Sequence, residues 1–173
     1  MKRALFLDRD GIVNEVIFRD YSPASPRSLD ELVMIPDAIE LAHAAKKLGY
    51  LLVLITNQPD VSRGLLSRTE LKKIHQKISE FIPFDRIEVC ISENDAYFRR
   101  KPNPGMLLES ADALGIDLSR SFFLGDGLKD LQAGKRAGVP TILLQTDYNI
   151  FIHGLADFNC NNFEEIKKII GAS

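Results

Sequence analysis

The feature that most limits what this chain can fold into is an alternation: five short apolar runs are separated by stretches with the spacing of amphipathic helices. The runs are Arg3 to Asp8, Leu51 to Ile55, Ile87 to Ile91, Phe122 to Leu124 and Thr141 to Leu144. Each is nearly continuous in its apolar character, as strands buried on both faces are, and a parallel sheet covered by helices buries its strands in that way. Helical periodicity from Asp37 to Leu48 stops at Gly49, and Ser67-Arg68-Thr69-Glu70 has the form of a capping box for a helix running to about Phe81. Further helices are expected over Pro104 to Leu114, capped by Asn103, over Lys129 to Ala137 before Gly138, and after Asn162 through Phe163, Ile166, Ile169 and Ile170. The prediction is an α/β fold: a single Rossmann-like, doubly wound parallel sheet with helices on both faces, formed by residues 1–173 as one domain. Asn14 to about Pro36 has neither periodicity and contains Pro23, Pro26 and Pro36, so it reads as a long surface loop.

Open sheets of this kind bind ligands at the carboxyl ends of their strands. Those ends are polar here. Asp8, Arg9, Asp10 and Gly11 follow the first run; Thr56, Asn57 and Gln58 follow the second; Arg100 and Lys101 precede the third helix; Gly125, Asp126, Gly127 and Asp130 follow the fourth run. Asp8 and Asp10 would face the same way if the strand continued, and two like charges at that spacing call for a cation. An all-oxygen site favours magnesium, which takes one or two carboxylates and completes its shell with waters and substrate phosphate, and Asp126 can supply the second carboxylate. Thr56 adds a hydroxyl and Lys101 an ammonium, the groups a phosphoryl group needs as charge spreads over its oxygens.

Charge and cysteine usage exclude other classes. With 22 Lys+Arg against 24 Asp+Glu, a net charge of −2 offers no basic surface for nucleic acid. Cys90 and Cys160 are too few for a disulfide framework or a thiolate zinc site, and His43, His75 and His153 lack metal spacing and read as structural or surface residues away from the motifs. Asp8, Arg9 and Asp10 interrupt the opening apolar run, so neither a targeting segment nor a membrane span is expected, and a cytoplasmic monomer is. Phe151, Ile152 and Phe158 are expected to pack on their own domain.

Through Phe6-Leu7-Asp8-Arg9-Asp10-Gly11, Ile55-Thr56-Asn57, Arg100-Lys101-Pro102 and Gly125-Asp126 with Asp130, in that order, the chain resembles the haloacid dehalogenase superfamily of phosphatases over nearly its whole length. Asn14, Gln58, Ser62-Arg63-Gly64, the run from Asn103 to Met106 and that from Asp130 to Gly134 make it most similar to the heptose bisphosphate and histidinol phosphate branch, the heptose members more closely. The resemblance implies that Asp8 attacks phosphorus to form an aspartyl-phosphate and that Asp10 protonates the leaving alcohol and then activates water. It implies magnesium held by Asp8, Asp126 and the backbone carbonyl of Asp10, with Thr56 and Lys101 on the phosphoryl oxygens and Asp130 orienting Lys101 from behind. Asn57, Arg63 and Arg100 are the substrate contacts it points to.

Neither interval between motifs has room for an inserted cap domain, so the site is expected to be capless and open. Capless members that the chain resembles act on large substrates or close over small ones with short loops, and with Asn14 to Pro36 as the candidate loop the reading kept is a small phosphorylated sugar. A heptose bisphosphate of surface-polysaccharide precursor synthesis is the first reading, and histidinol phosphate or another sugar phosphate the alternative. An end phosphatase of nucleic acids would suit a capless site but not the acidic balance. A phospho-acceptor receiver domain shares these residue types in a different order, since here Asp-x-Asp comes first and Asp126 last. Where the branch carries a Cys/His zinc loop this chain has Ser92 to Phe98, so zinc is not expected. Ile12 stands where the branch often has Thr, Asp60 puts negative charge near the docking site of an anionic substrate, and Gly127 removes a possible phosphate contact.

Overall fold

Sequence order and spatial order diverge in a way that creates a crevice. The computed structural model describes residues 1–172; Ser173, the end of the expected domain, lies outside them. In chain order the strands are β1 (Ala4–Leu7), β2 (Ile17–Arg19), β3 (Ser22–Ala24), β4 (Leu51–Asn57), β5 (Arg86–Cys90), β6 (Phe122–Gly125), β7 (Thr141–Leu144) and β8 (Phe158–Cys160). The helices are α1 (Pro36–Lys47), α2 (Arg68–Phe81), α3 (Gly105–Leu114), α4 (Leu128–Ala137) and α5 (Phe163–Gly171). Six strands pair in parallel in the order β5-β4-β1-β6-β7-β8. The chain winds outward from β1 to β5, returns to the other side of β1, and winds outward again. The loops after β4 and β6 therefore diverge around the end of β1, where the ligand crevice of such a sheet lies.

Alternate strand residues feed two cores, which accounts for their continuous apolar character. Leu5, Leu7, Leu52, Leu54, Phe122, Leu124 and Ile142 pack with Leu41 of α1, Ile74 and Ile78 of α2, and Ile166 and Ile170 of α5. Phe6, Val53, Ile55 and Phe123 face Met106 and Leu107 of α3 and Ala133 of α4. Helices thus cover both faces, as predicted. Fully burying each such side chain is worth about 1.5–3 kcal/mol, which makes the sheet a firm platform for the loops at its edge.

Local signals hold where they were local. Ser67 Oγ accepts from the Glu70 N–H at 3.0 Å and Asn162 Oδ1 from that of Glu165 at 3.0 Å, each starting its helix. The Glu70 carboxylate does not close the capping box on Ser67; it accepts instead from the Leu29 N–H at 2.8 Å and so ties the 14–36 segment to α2. Asn103 does not cap α3. Pro104 is the residue at that end, and the Asn103 amide donates to the carbonyls of Asp95 and Tyr97. Helix α4 begins one residue earlier than expected, with the Gly127 N–H donating to Asp130 Oδ2 at 3.0 Å.

Two elements carry no apolar run. Strand β8 is three residues long with Asn159 at its centre, and it pairs Phe158 with Ile142 and Cys160 with Leu144. The expected loop contains the hairpin β2–β3, turned by Asp20 and Tyr21 at φ 49° and 62°. Two-residue turns with positive φ ordinarily announce themselves by glycine or asparagine, and this one does not. Among the described residues no helix is long and apolar enough to cross a membrane.

Candidate active site

The end of β1 is built for close approach. Gly11 has φ 85°, and a Cβ there would lie 1.9 Å from Asp126 Oδ2 and 2.7 Å from the Tyr148 hydroxyl, so only glycine lets the turn after β1 meet the loop after β6. Around it, Asp8, Asp126 and Asp130 each bring a carboxylate oxygen within 4.8 Å of the others. Lys101 Nζ donates to Asp8 Oδ1 and Asp130 Oδ1, both at 2.6 Å, and to the Ile55 carbonyl at 3.1 Å. The Lys101 backbone is gripped by Asn57, whose Nδ2 donates to its carbonyl at 3.0 Å and whose Oδ1 accepts from its N–H at 3.2 Å.

The charges in this cluster do not balance. Burial disfavours the Lys101 ammonium, but Asp130 and Asp8 outweigh burial and hold its pKa well above lysine's ordinary range. Burial first, then Asp130, pushes Asp8 well above the usual carboxylate range despite Lys101. Burial and Asp130 likewise raise Asp126 to about 7, against a hydrogen bond from Tyr148 that favours its ionised form. One ammonium serving three buried carboxylates leaves a deficit of positive charge among oxygen ligands only, which is the donor set and the electrostatics of a hard divalent cation.

The strand does not continue through the two aspartates: β1 ends at Leu7, and the Asp10 carboxylate has partners of its own. It accepts from Arg9 Nη2 at 2.9 Å, Arg9 Nε and Asn14 Nδ2 at 3.0 Å, Ser25 Oγ at 2.7 Å and Gln58 Nε2 at 2.9 Å. Burial alone would raise its pKa, but Arg9 and the hydrogen bonds from Ser25, Asn14 and Gln58 together hold it below the ordinary value. Gln58 Nε2 also donates to Thr56 Oγ1 at 2.8 Å. With its oxygen serving as acceptor, Thr56, only 1% exposed, keeps its own proton for another acceptor.

One histidine does reach the motifs. His75 Nε2 lies 3.2 Å from Arg9 Nη1, because α2 brings a residue distant in sequence against the buried guanidinium. Burial and the Arg9 charge press its pKa down from 6.5 to about 4. A neutral His75 therefore favours the fold: its contribution is complete above pH 6.5 and is lost as pH falls toward 4, by up to about 3 kcal/mol. Replacing it by Gln should flatten that part of the stability profile. Urea unfolding of both proteins at pH 7 and pH 4.5 checks this, and parallel losses would contradict it. His43 and His153 bond to the Phe81 carbonyl and to Asn149 Oδ1, away from the carboxylate cluster.

The three residues expected to touch substrate differ. Asn57 is engaged with Lys101 as described. Arg100 is buried, donating to Asp95 Oδ1 and the Ser92 carbonyl, both at 2.8 Å, and so holds the 92–98 segment. Arg63 is exposed and pairs with Glu93 at 2.5 Å and Asp60 at 3.3 Å. Asp60 is not the bare charge expected, since Arg27 Nε also meets it at 2.7 Å and its negative charge is offset on both sides.

Sequence reasoning missed Ser25, Tyr148 and Asn149. The Tyr148 hydroxyl donates to Asp126 Oδ2 at 2.5 Å, and Asn149 Nδ2 donates to the Asp126 carbonyl at 2.9 Å. Both lie in the helical turn a few residues past β7, so the strand-end rule points to their neighbourhood but not to their contacts with Asp126.

A family model described as haloacid dehalogenase-like hydrolase matches residues 6–138. The chain is 34% identical over 165 residues to the D-glycero-D-manno-heptose-1,7-bisphosphate 7-phosphatase of Chlorobaculum tepidum, covering 85% of this chain and 80% of that protein. It is 33% identical to the D-glycero-beta-D-manno-heptose-1,7-bisphosphate 7-phosphatase of Pasteurella multocida over 98% of this chain and 97% of that one. Among solved structures it is similar to the D,D-heptose 1.7-bisphosphate phosphatase from B. bronchiseptica complexed with magnesium and phosphate, with a TM-score of 0.84, 28% identity and 99% of each chain covered.

Proposed function

Since this chain belongs to the haloacid dehalogenase-like hydrolases and is a phosphatase among them, we propose that it is a magnesium-dependent, capless, single-domain enzyme removing the 7-phosphate of D-glycero-D-manno-heptose 1,7-bisphosphate. The observation that carries this reading is the Asp8–Lys101 pair at 2.6 Å within the cluster that Asp126 and Asp130 complete, on a fold similar end to end to a heptose bisphosphatase complexed with magnesium and phosphate.

We assign these groups the two-step chemistry of an aspartyl-phosphate intermediate. Asp8 attacks phosphorus, and the substrate's C7–O–P linkage breaks at the phosphorus–oxygen bond to give an aspartyl-phosphate and the sugar alcohol. Lys101 and the Thr56 hydroxyl take up charge on the transferring oxygens, and Asp130 keeps the ammonium aimed. Asp10 gives the leaving oxygen its proton and then removes one from the water that hydrolyses the intermediate. In the free site Asp10 is held ionised, and it takes up that proton once the anionic substrate raises the negative charge beside it. Arg9, Asn14, Ser25 and Gln58 fix its direction. Asp8, Asp126 and the Asp10 carbonyl would hold magnesium, which when bound supplies positive charge to the carboxylates and phosphate oxygens. Asn57 acts through Lys101, and Arg63 and Arg100 are the substrate contacts in this proposal, each held in place by a carboxylate, Glu93 for Arg63 and Asp95 for Arg100. Two buried free cysteines suit the reducing cytoplasm in which we place the reaction.

Phosphate release with and without magnesium tests this on both anomers of the heptose bisphosphate, histidinol phosphate, common sugar phosphates and end-phosphorylated oligonucleotides. The expected result is a preference for one heptose anomer by at least about 100-fold in kcat/KM, abolished by chelation. A flat profile across the panel would overturn the substrate, and turnover indifferent to chelation would overturn the metal.

A further inference from the structure

We infer that Tyr148 is a positioning residue for Asp126, its hydroxyl fixing how that carboxylate is presented to a divalent cation; this rests on the magnesium reading above. Tyr148 belongs to the short helical turn Asp147–Ile152 that follows β7, beside the strand that carries Asp126. Its hydroxyl donates to Asp126 Oδ2 at 2.5 Å, while Oδ1 accepts no hydrogen bond among the described residues. One carboxylate oxygen is thus tethered and the other left available.

The tether itself is anchored. Asn149, 2% exposed, donates to the Asp126 carbonyl at 2.9 Å and to the Leu144 carbonyl at 3.0 Å, and its Oδ1 accepts from the Thr146 N–H at 2.8 Å. The same turn therefore holds Asp126 at main chain and side chain. Phe18 of the β2–β3 hairpin packs edge-on against the Tyr148 ring, with centroids 5.9 Å apart and planes at 69°, so the ring is fixed from the opposite side. The absent Gly11 side chain provides the room: a Cβ there would come 2.7 Å from the hydroxyl. A ligand carboxylate held by a hydrogen bond presents a set oxygen, and losing such a partner generally costs about 10–100-fold in metal affinity. Thr146 is the other side chain whose hydroxyl faces the phenol oxygen; Tyr148→Phe removes the contact with Asp126 and leaves the ring's packing on Phe18 in place.

The experiment is titration of magnesium alone into metal-free, full-length wild type and Y148F by calorimetry, with phosphate release measured against magnesium at saturating substrate. Y148F is expected to bind magnesium about 10-fold more weakly, to recover wild-type kcat at saturating metal, and to melt at the wild-type temperature without it. F18L keeps the hydroxyl and is expected to weaken binding less. Equal magnesium affinity in wild type and Y148F would overturn the inference. So would a kcat loss that excess metal does not restore, which would place the hydroxyl on the substrate, or a larger effect in F18L than in Y148F. Wild type that binds no magnesium would remove the metal reading and this inference together.

Discussion

Asp8→Asn should abolish phosphate release, by at least about 10⁴-fold in kcat, as removing an attacking group does. The amide has nearly the shape of the carboxylate but cannot attack phosphorus. The fold should not suffer. Asp8 shares one ammonium with Asp130 and stands within 4.8 Å of two other carboxylates, so the substitution removes one of three crowded negative charges. The urea midpoint in metal-free buffer is expected to stay level or rise. Rapid quench with labelled substrate should find the phosphoryl group on wild-type protein and none on the variant. Turnover by D8N at a substantial fraction of the wild-type rate would sink Asp8 as nucleophile.

Lys101→Met should damage both activity and stability. Lys101 is 4% exposed, and its ammonium is the shared partner of Asp8 and Asp130. Methionine fills a similar volume but leaves two buried carboxylates facing each other, and breaking a buried pair from one side costs about 3–5 kcal/mol. The loss should appear in urea unfolding at neutral pH in metal-free buffer and shrink as pH falls and the carboxylates take up protons. Magnesium should recover part of the stability, because a second source of positive charge reaches the same carboxylates. It should not recover turnover, which is expected to fall about 10²–10³-fold with loss of a preorganised donor to the transferring oxygens. Arginine is a poor substitute, since a planar fork cannot place one compact charge between Asp8, Asp130 and the Ile55 carbonyl. An unchanged urea midpoint in K101M would show that the two carboxylates do not depend on this ammonium.

Legibility in the sequence followed the range of the forces involved. Strands β1, β4, β6 and β7 are visible because both of their faces are buried, which leaves continuous apolar runs, while β5, at the edge of the sheet, shows only the alternation of Ile87 and Val89 with charged Arg86 and Glu88. Caps at Ser67 and Asn162 are visible because side chain and backbone partner lie within one helical turn. Strand β8 is hidden because only Cys160 of its three residues is buried, and the hairpin is hidden because Asp20 and Tyr21 adopt positive φ without glycine. In the site, Asp8, Thr56, Lys101, Asp126 and Asp130 could be gathered from strand ends and order alone. The pairing of Arg9 with His75, the double pairing of Asp60 and the reach of Tyr148 to Asp126 are tertiary contacts that no local pattern encodes.

After its hairpin, the segment that ends at Pro36 is fastened by hydrogen bonds to three different parts of the molecule: Ser25 to Asp10, Arg27 to Asp60, and Leu29 to Glu70. A strap held that way does not swing. The rim of the crevice is already in place before anything docks, so little chain ordering is needed when a ligand arrives. These three fastenings lie beyond the hairpin tip, where Tyr21 is fully exposed, and before the tip Phe18 rests on the Tyr148 ring. Drift at the tip can reshape what the rim admits while the fastened half keeps Asp10 aimed, which separates the evolution of selectivity from the upkeep of chemistry.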